Sequence, residues 1–293
     1  MATHVSRYVT FNDTLRETTG FIVMTAPSPL SAVLDAAERA GKLNLGTEEI
    51  RAALPDVNAE ALRQALYRQQ QRGRLIRLSR GSGHWLIVPL QYAAAGAPPL
   101  ETWLDRYLGK TLCIPYYVAL LSAAETYGAS PYAVMVTQVM VPKRRLPITV
   151  GRHEVVFHTR VGIEHMPTRW HETPEGRFKI STPELTALDL VQRETLLGGI
   201  ARVREVLHAL WDACTAEGLS KALEALQEVP TAQRLGALLT LDGQDALAAQ
   251  VTRWLGDKRL RIISLEGQQA PDTSDIETAF KVRLPGELRS SNT

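Results

Sequence analysis

The sequence predicts an α+β fold in two parts, a small N-terminal domain followed by a larger mixed α+β domain in which helices predominate. A length of 293 residues is enough for about two domains. Apolar residues repeat at helical spacing along most of the chain, and short β-branched segments interrupt them at 134–137, 147–150 and 155–159. Segment 93–99 is rich in small residues and proline, and we interpret it as the linker.

The domain boundaries follow from where these patterns begin and end. Residues 1–26 show no sustained period and are interpreted as an N-terminal extension. The first domain is expected at 27–92 and the second at 100–265, each with enough apolar residues for its own core. Residues 266–293 are expected to form a polar C-terminal tail, in which 279–284 could add one strand.

Composition favours a cytoplasmic protein. The chain has a formal net charge of +2 and two cysteines, Cys113 and Cys214, which cannot form a disulfide framework. Charged residues such as Arg7 and Asp13 break up the N-terminal segment, which excludes the apolar region of a signal peptide. The sequence has no run of 18 apolar residues, so we expect no membrane span.

Three helices are predicted in the first domain, because N-capping residues precede three apolar helical stripes and glycine or proline follows each. The predicted N-caps are Ser28 or Ser31, Thr47 and Asn58. The residues predicted to end the helices are Gly41, Pro55 and Gly73. Segments 74–78 and 84–88 are then predicted to form a hairpin around a glycine-rich tip. Three helices followed by a hairpin are typical of a winged helix-turn-helix domain.

The third helix and the hairpin concentrate positive charge in a nearly neutral chain. Six arginines and no acidic residue lie between Ala61 and Trp85. The buried stripe of the helix is predicted to be Ala61, Leu62, Ala65 and Leu66. Long donors on the opposite face suit base edges and phosphates. The predicted DNA-contacting residues are Arg63, Gln64, Tyr67, Arg68 and Gln71 on the helix, and Arg74, Arg77, Arg80, Ser82 and His84 on the wing.

A solvated basic face is the alternative interpretation of this charge, and a charge run alone favours it. The order of the elements, with a polar-faced helix leading into a basic hairpin, favours DNA binding instead.

The second domain is predicted to begin with helices at about 100–108 and at 115–128. The latter is apolar nearly all round, so we expect it to be central. The β-branched segments predict strands of one sheet, and an exposed loop with Lys143, Arg144 and Arg145 joins the first two. Two interpretations of this loop stay open, which are solubility at a strand edge and a second contact with DNA or a protein partner.

The second half of this domain is predicted to be mainly helical. Either Ser181 and Glu184 form a capping box, or Thr182 is the N-cap with Pro183 at the first helical position. The remaining elements are predicted as helices at 203–214, 219–228 and 231–255, with a break near Asp242-Gly243, and as a strand at 259–265.

The sequence contains no recognisable catalytic or metal-binding motif. The histidines that suggest a metal site are His153, His158, His165 and His171. Their spacings of five, seven and six residues do not match the pair of a helical zinc site. Glu154, Glu164 and Glu172 are interpreted as solvated loop residues. We therefore expect neither an enzyme nor a bound metal or cofactor.

The order of elements resembles the antitoxins of the abortive-infection E (AbiE) type, which are the DNA-binding partners in type IV toxin–antitoxin pairs. The resemblance spans about residues 28–265 and is carried by the winged helix together with 117–128, 139–145 and 181–190. It implies a repressor that binds inverted repeats in its own operon promoter and counteracts a nucleotidyltransferase-like toxin.

The partners implied by the resemblance are double-stranded promoter DNA and that toxin, with dimerisation or cooperative binding on DNA as a further expectation. The loop at Lys143, Arg144 and Arg145 would then be a second DNA or toxin contact. The alternative that stays open is a ligand-sensing winged-helix transcription factor whose second domain binds a small molecule.

Overall fold

A computed structural model gives the fold. It describes residues 28–78, 83–130, 136–256, 258–266 and 276–285. The N-terminal extension predicted at 1–26, together with Arg80 and Ser82 of the predicted wing, lies outside the described residues.

The first domain is the winged helix-turn-helix that the sequence predicts. Its described helices are α1 (Pro29–Arg39), α2 (Thr47–Ala53) and α3 (Ala59–Gln71), and its described strands are β1 (Asn44–Gly46), β2 (Leu75–Arg77) and β3 (His84–Ile87). The strands form an antiparallel sheet in the order β1-β3-β2. The sequence did not predict β1, because three residues are too few to show a period of two.

Two of the predicted helix starts are confirmed, and the three helices end before Gly41, Pro55 and Gly73 as predicted. The Ser28 hydroxyl and the Asn58 side-chain carbonyl each accept a hydrogen bond from the backbone N–H three residues later, at 3.3 and 2.8 Å. Gly41 and Gly73 follow α1 and α3 with φ of +66° and +69°, which is the left-handed conformation that glycine adopts most easily. Local chemistry therefore sets the limits of α1 and α3.

The predicted N-cap role of Thr47 is wrong. Its hydroxyl donates to the Gly83 carbonyl at 2.8 Å and accepts from Trp85 Nε1 at 2.9 Å. Because both partners belong to the wing, Thr47 connects α2 to β3 and leaves the first turn of α2 without a side-chain cap.

The buried side of α3 differs from the prediction at both of its ends. Leu62 and Leu66 are buried as expected, but Ala61 is exposed. Gln69 continues the stripe instead, 5% exposed, and its amide donates to the Ser31 hydroxyl of α1 at 3.0 Å. A polar residue at a buried position gives no apolar signal, which is why the sequence pattern missed it.

A mixed six-stranded sheet organises the second domain. Its strands are β4 (Tyr117–Val118), β5 (Val136–Val141), β6 (Ile148–Val150), β7 (His153–Thr159), β8 (Thr168–Thr173) and β9 (Gly176–Ser181). They lie in the order β6-β7-β5-β4-β9-β8. The pairs β5/β7 and β4/β9 are parallel, and the other neighbours are antiparallel.

Two predictions for this sheet are wrong. The helix expected at 115–128 begins only at Leu120, because Tyr117 and Val118 form β4 in the middle of the sheet. A strand buried on both faces reads as continuously apolar, which periodicity cannot distinguish from a buried helix. Glu154 and Glu172, expected on loops, lie in β7 and β8.

The helices of the described second domain are α4 (Leu100–Asp105), α5 (Leu120–Thr126), α6 (Pro183–Gln192), α7 (Ile200–Leu210), α8 (Ala216–Leu226), α9 (Val229–Leu241) and α10 (Asp245–Leu255). A π-helical segment, Arg106–Thr111, extends α4.

The apolar stripe predicted at 203–214 is buried as far as Trp211, but Cys214 follows the helix and is half-buried. The break predicted near Asp242-Gly243 separates α9 from α10.

Helix α6 lies at the centre of the helical layer, where it packs against α5, α7, α8 and α9. Thr182 caps it by accepting from the Leu185 N–H at 3.4 Å, so the capping-box alternative is wrong. The Glu184 carboxylate instead contacts Thr215, the residue before α8. It accepts hydrogen bonds from the Thr215 backbone N–H at 2.8 Å and from the Thr215 hydroxyl at 3.0 Å.

The end of the described chain returns to this helical layer. A small sheet contains β10 (Ile263–Ser264), β11 (Ile276–Glu277) and β12 (Val282–Arg283) in the order β10-β12-β11. The strand predicted at 259–265 is therefore shorter than expected, and the one suggested at 279–284 is present as β12. Phe280 is buried against α9, where Gln233 Nε2 donates to its carbonyl at 2.6 Å and Gly236 leaves room for its ring.

A buried ion pair joins the sheet to α6. Arg160, directly after β7, donates to one oxygen of Asp189, and the Tyr117 hydroxyl donates to the other at 3.2 Å. The two charged side chains are 5% and 0% exposed. Burial disfavours the charge on Arg160, but the neighbouring Asp189 carboxylate raises the pKa of the guanidinium above its ordinary value. The guanidinium thus stays charged in the interior.

We expect Asp189→Asn to lower the free energy of unfolding by about 3–5 kcal/mol, because Arg160 would remain buried without its carboxylate. Denaturant unfolding followed by circular dichroism measures this loss. The control Glu217→Gln removes an exposed pair with Lys221 and should leave the midpoint unchanged. A loss under about 1 kcal/mol for Asp189→Asn would show that the pair is not needed.

Candidate nucleic-acid interface

The structure brings the five predicted residues of α3 onto one exposed surface, which we call the α3 face. Its members are Arg63, Gln64, Tyr67, Arg68 and Gln71. Burial of Leu62 and Leu66 on the other side of the helix turns this face outward. Tyr67 is 60% exposed, and its hydroxyl suits a phosphate or sugar contact.

Glu60, in the first turn of α3, holds two side chains of the α3 face. Arg63 Nη2 lies 2.7 Å from Glu60 Oε2, and Gln64 Nε2 donates to Oε1 at 3.1 Å. The hydrogen bond from Arg63, followed by that from Gln64, lowers the pKa of Glu60. The carboxylate therefore stays charged and partly neutralises the face. Sequence reasoning missed Glu60, although its spacing of three and four residues from these donors was a usable signal.

Arg74 is placed differently from the α3 face. Its guanidinium pairs with Asp35 and lies 3.5 Å from Glu38, both on α1, and its side chain is 28% exposed. Acidic groups of the same domain therefore compensate its charge, and its DNA contact stays a prediction.

The described wing residues Arg77 and His84 have different surroundings. Arg77 is exposed and its guanidinium lies 5.8 Å from the centre of the Trp85 ring. His84 is half-buried at the start of β3, with its ring 5.8 Å from that of Tyr107 in the second domain. Burial, together with the positive charge of Arg145, lowers the pKa of His84. The imidazole is therefore neutral at pH 7 and adds no charge to the wing.

The winged helix is fixed to the second domain through α4 and its π-helical extension. Trp103 and Tyr107 are 1% and 0% exposed and belong to one hydrophobic core with residues of both domains. Asn44 Nδ2 donates to the Trp103 carbonyl at 3.4 Å, and Arg106 Nη1 donates to the Gly41 carbonyl at 2.9 Å. These contacts hold the wing in a set orientation relative to the sheet.

A cleft of about 1110 Å³ opens between the winged helix and the second domain. One wall contains Gln70, Gly73 and residues 75–78, and the other contains residues 144–149 and Glu154. Arg77 thus shares the cleft with Arg144 and Arg145 of the predicted basic loop. Lys143 is exposed and does not line it.

The predicted linker also borders this cleft. Gly96 and Gly151 both line it, and a Cβ added at Gly151 would lie 2.9 Å from the Gly96 carbonyl carbon. Gly151 also has a φ of +62°. Glycine is therefore required at this close approach between the linker and the β6–β7 turn.

Comparison with known proteins identifies the second domain. Residues 117–241 match the family model described as AbiEi antitoxin C-terminal domain. The second domain belongs to the AbiEi antitoxin family. The matched range contains the basic loop and the buried pair of Arg160 and Asp189, whereas the α3 face lies outside it.

A solved structure is similar in fold to the whole chain, beyond the part that matches the family model. The crystal structure of RV2827C protein from Mycobacterium tuberculosis matches with a TM-score of 0.59 and 16% sequence identity. The match covers 88% of this chain and 92% of that chain, so it includes both domains. At this identity the similarity concerns the fold alone. No curated protein matches this chain.

The histidines that suggested a metal site lie in β7, in β8 and in a short turn between these strands. His153 begins β7 and is exposed, His165 is exposed in a short turn, and the His171 ring lies 5.0 Å from that of Phe178. Within the described ranges, no group of three or more His, Cys, Asp or Glu residues could hold a metal ion. In the same ranges, no helix has the length and apolar content of a membrane span.

We expect Glu60→Gln to raise the affinity for duplex DNA by about twofold to tenfold at 50 mM salt, because a negative charge beside the α3 face is removed. Fluorescence anisotropy with a labelled promoter fragment measures the change. Glu217→Gln is the matched control, since it removes a helical ion pair of the second domain. Affinity below that of the wild type would indicate that Glu60 orients Arg63 and Gln64 for binding.

Proposed function

We propose that this chain is the antitoxin of a type IV toxin–antitoxin pair and represses its own operon by binding inverted repeats in the promoter. The observation that carries the proposal is the joining of an exposed, donor-rich α3 face to an AbiEi antitoxin C-terminal domain. The α3 face would bind promoter DNA, and the second domain would counteract a nucleotidyltransferase-like toxin.

The dimensions and chemistry of α3 support insertion into the major groove. Its 13 residues give a helix about 20 Å long. An α-helix with its side chains is about 10–12 Å wide, so it fits the major groove, which is about 12 Å wide. Arg63 and Arg68 can donate in bidentate fashion to guanine, and Gln64 or Gln71 to adenine. Tyr67 at the same surface can bind a phosphate oxygen. The α3 face thus supplies both positioning and base-reading groups.

The wing supports the same orientation. Arg77 on β2 is exposed beside the C-terminal end of α3, where the phosphates flanking the groove would lie in a winged-helix complex. Since Thr47 connects α2 to Gly83 and Trp85, the wing and the helices form one unit. A protein with this arrangement can contact the groove and its backbone together.

The antitoxin part of the proposal rests on the second domain. Its family match implies a cognate toxin, and the resemblance of the whole chain to AbiE-type antitoxins implies that this toxin is nucleotidyltransferase-like. We place this activity in residues 117–241 because they are the part that matches the antitoxin model. Toxin neutralisation should therefore be separable from DNA binding.

We expect the double substitution Arg63→Ala and Arg68→Ala to weaken binding to the promoter by at least about tenfold, because two groups that contact bases or phosphates are lost. A mobility-shift assay at several salt concentrations measures the effect and its salt slope. Arg253→Ala, an exposed arginine on α10, is the control and should bind like the wild type. Unchanged promoter affinity in the double variant would exclude α3 as the recognition helix.

We expect the wild-type chain, expressed from an unrelated promoter, to restore growth of cells that produce the toxin encoded beside it. The Arg63→Ala and Arg68→Ala double variant should protect equally well, since its second domain is intact. Growth curves with and without toxin induction provide the measurement. Absence of protection by the wild type would contradict the antitoxin function and leave the DNA-binding proposal standing.

A further inference from the structure

We propose that the cleft between the winged helix and the second domain binds a phosphorylated small molecule of nucleotide size, and that this ligand competes with promoter DNA for Arg77. The proposal concerns regulation and rests on the proposed DNA-binding function. It assigns a role to the space that Arg77 shares with Arg144 and Arg145.

The charges that line the cleft suit an anion. Arg77 extends from the wing, Arg144 and Arg145 extend from the loop opposite, and Glu154 is the carboxylate on the lining. Within the described residues, neither Arg144 nor Arg145 has a carboxylate at ion-pair distance, and Arg145 instead lies 5.9 Å from the Phe157 ring centre. Guanidinium groups bind phosphate oxygens in bidentate geometry, so this excess of positive charge suits a phosphate.

The remaining lining suits a ligand body larger than phosphate alone. Leu146, Pro147 and Ile148 provide an apolar wall, and Leu146 is 72% exposed although it is a large apolar side chain. Gln70 and Thr149 add polar groups that can hydrogen-bond a sugar or a base edge. Ligand sites typically occupy about 300–1,000 Å³, so a cleft of about 1110 Å³ is large enough for a nucleotide.

Competition follows from the position of Arg77. This side chain lines the cleft and also belongs to the predicted DNA-contacting set. A phosphate bound in the cleft would add negative charge beside Arg77 and the end of α3. Binding of the ligand and of DNA would then be mutually weakening, as thermodynamic linkage requires of two ligands that oppose each other.

The phosphate could come from a free nucleotide or from the DNA backbone, and calorimetry on the full chain distinguishes the two sources. ADP is the probe, with inorganic pyrophosphate and adenosine as its two halves. We expect ADP to bind with a Kd tighter than about 1 mM, pyrophosphate at least about tenfold more weakly, and adenosine without measurable heat.

Two neighbouring substitutions in the basic loop provide a matched test. Arg144→Ala should weaken ADP binding by at least about tenfold, whereas Lys143→Ala, which removes a charge outside the cleft, should change it less than about twofold. Both positions are exposed, so both variants should fold. Equal weakening by the two substitutions, or ADP binding that survives Arg144→Ala, would overturn the proposed site.

The competition is tested by repeating promoter binding with 5 mM ADP at constant ionic strength. We expect wild-type affinity to fall at least about threefold and that of Arg144→Ala to change little. If ADP gives no heat up to 10 mM and both loop variants weaken promoter binding, the loop contacts DNA and the ligand proposal is wrong. Intact promoter binding by the wild type in that case would leave the proposed function standing.

Discussion

The burial of Trp103 and Tyr107 is the contact on which the rest of the arrangement depends. Both side chains lie in a core that contains residues of the winged helix and of the six-stranded sheet. Aromatic side chains of this size contribute a large share of the hydrophobic stabilisation of such a core. The direction of α3, the position of the wing and the shape of the cleft all follow from how this core joins the two domains.

Most of the fold could be predicted from local signals, and the errors have a common cause. The caps at Ser28, Asn58 and Thr182 and the break at Asp242-Gly243 depend on adjacent residues. The sequence pattern therefore identified Asn58 and the break, and gave Ser28 and Thr182 each as one of two alternatives. Strand β4 was missed because its two residues are identified only by their neighbours in the sheet. Thr47 fits an N-cap locally, but its hydroxyl is occupied by the distant residues Gly83 and Trp85.

The candidate site could be predicted only in part for the same reason. Helical periodicity was enough to place the exposed donors of α3 on one face. It could not show that Arg74 pairs with α1, that His84 contacts Tyr107, or that Arg144 and Arg145 lie across a cleft from Arg77. These placements depend on contacts between residues more than 20 positions apart, which composition and spacing do not encode.

The close approach of Gly96 to Gly151 affects the entropy of any complex that uses both domains. A segment of small residues and proline would by composition be a flexible tether, and a tethered pair of domains loses orientational freedom each time both bind one partner. Here the segment packs against the β6–β7 turn, so this ordering has already taken place when the chain folds. Both domains can therefore meet a common partner as a preorganised surface, with little further loss of conformational freedom.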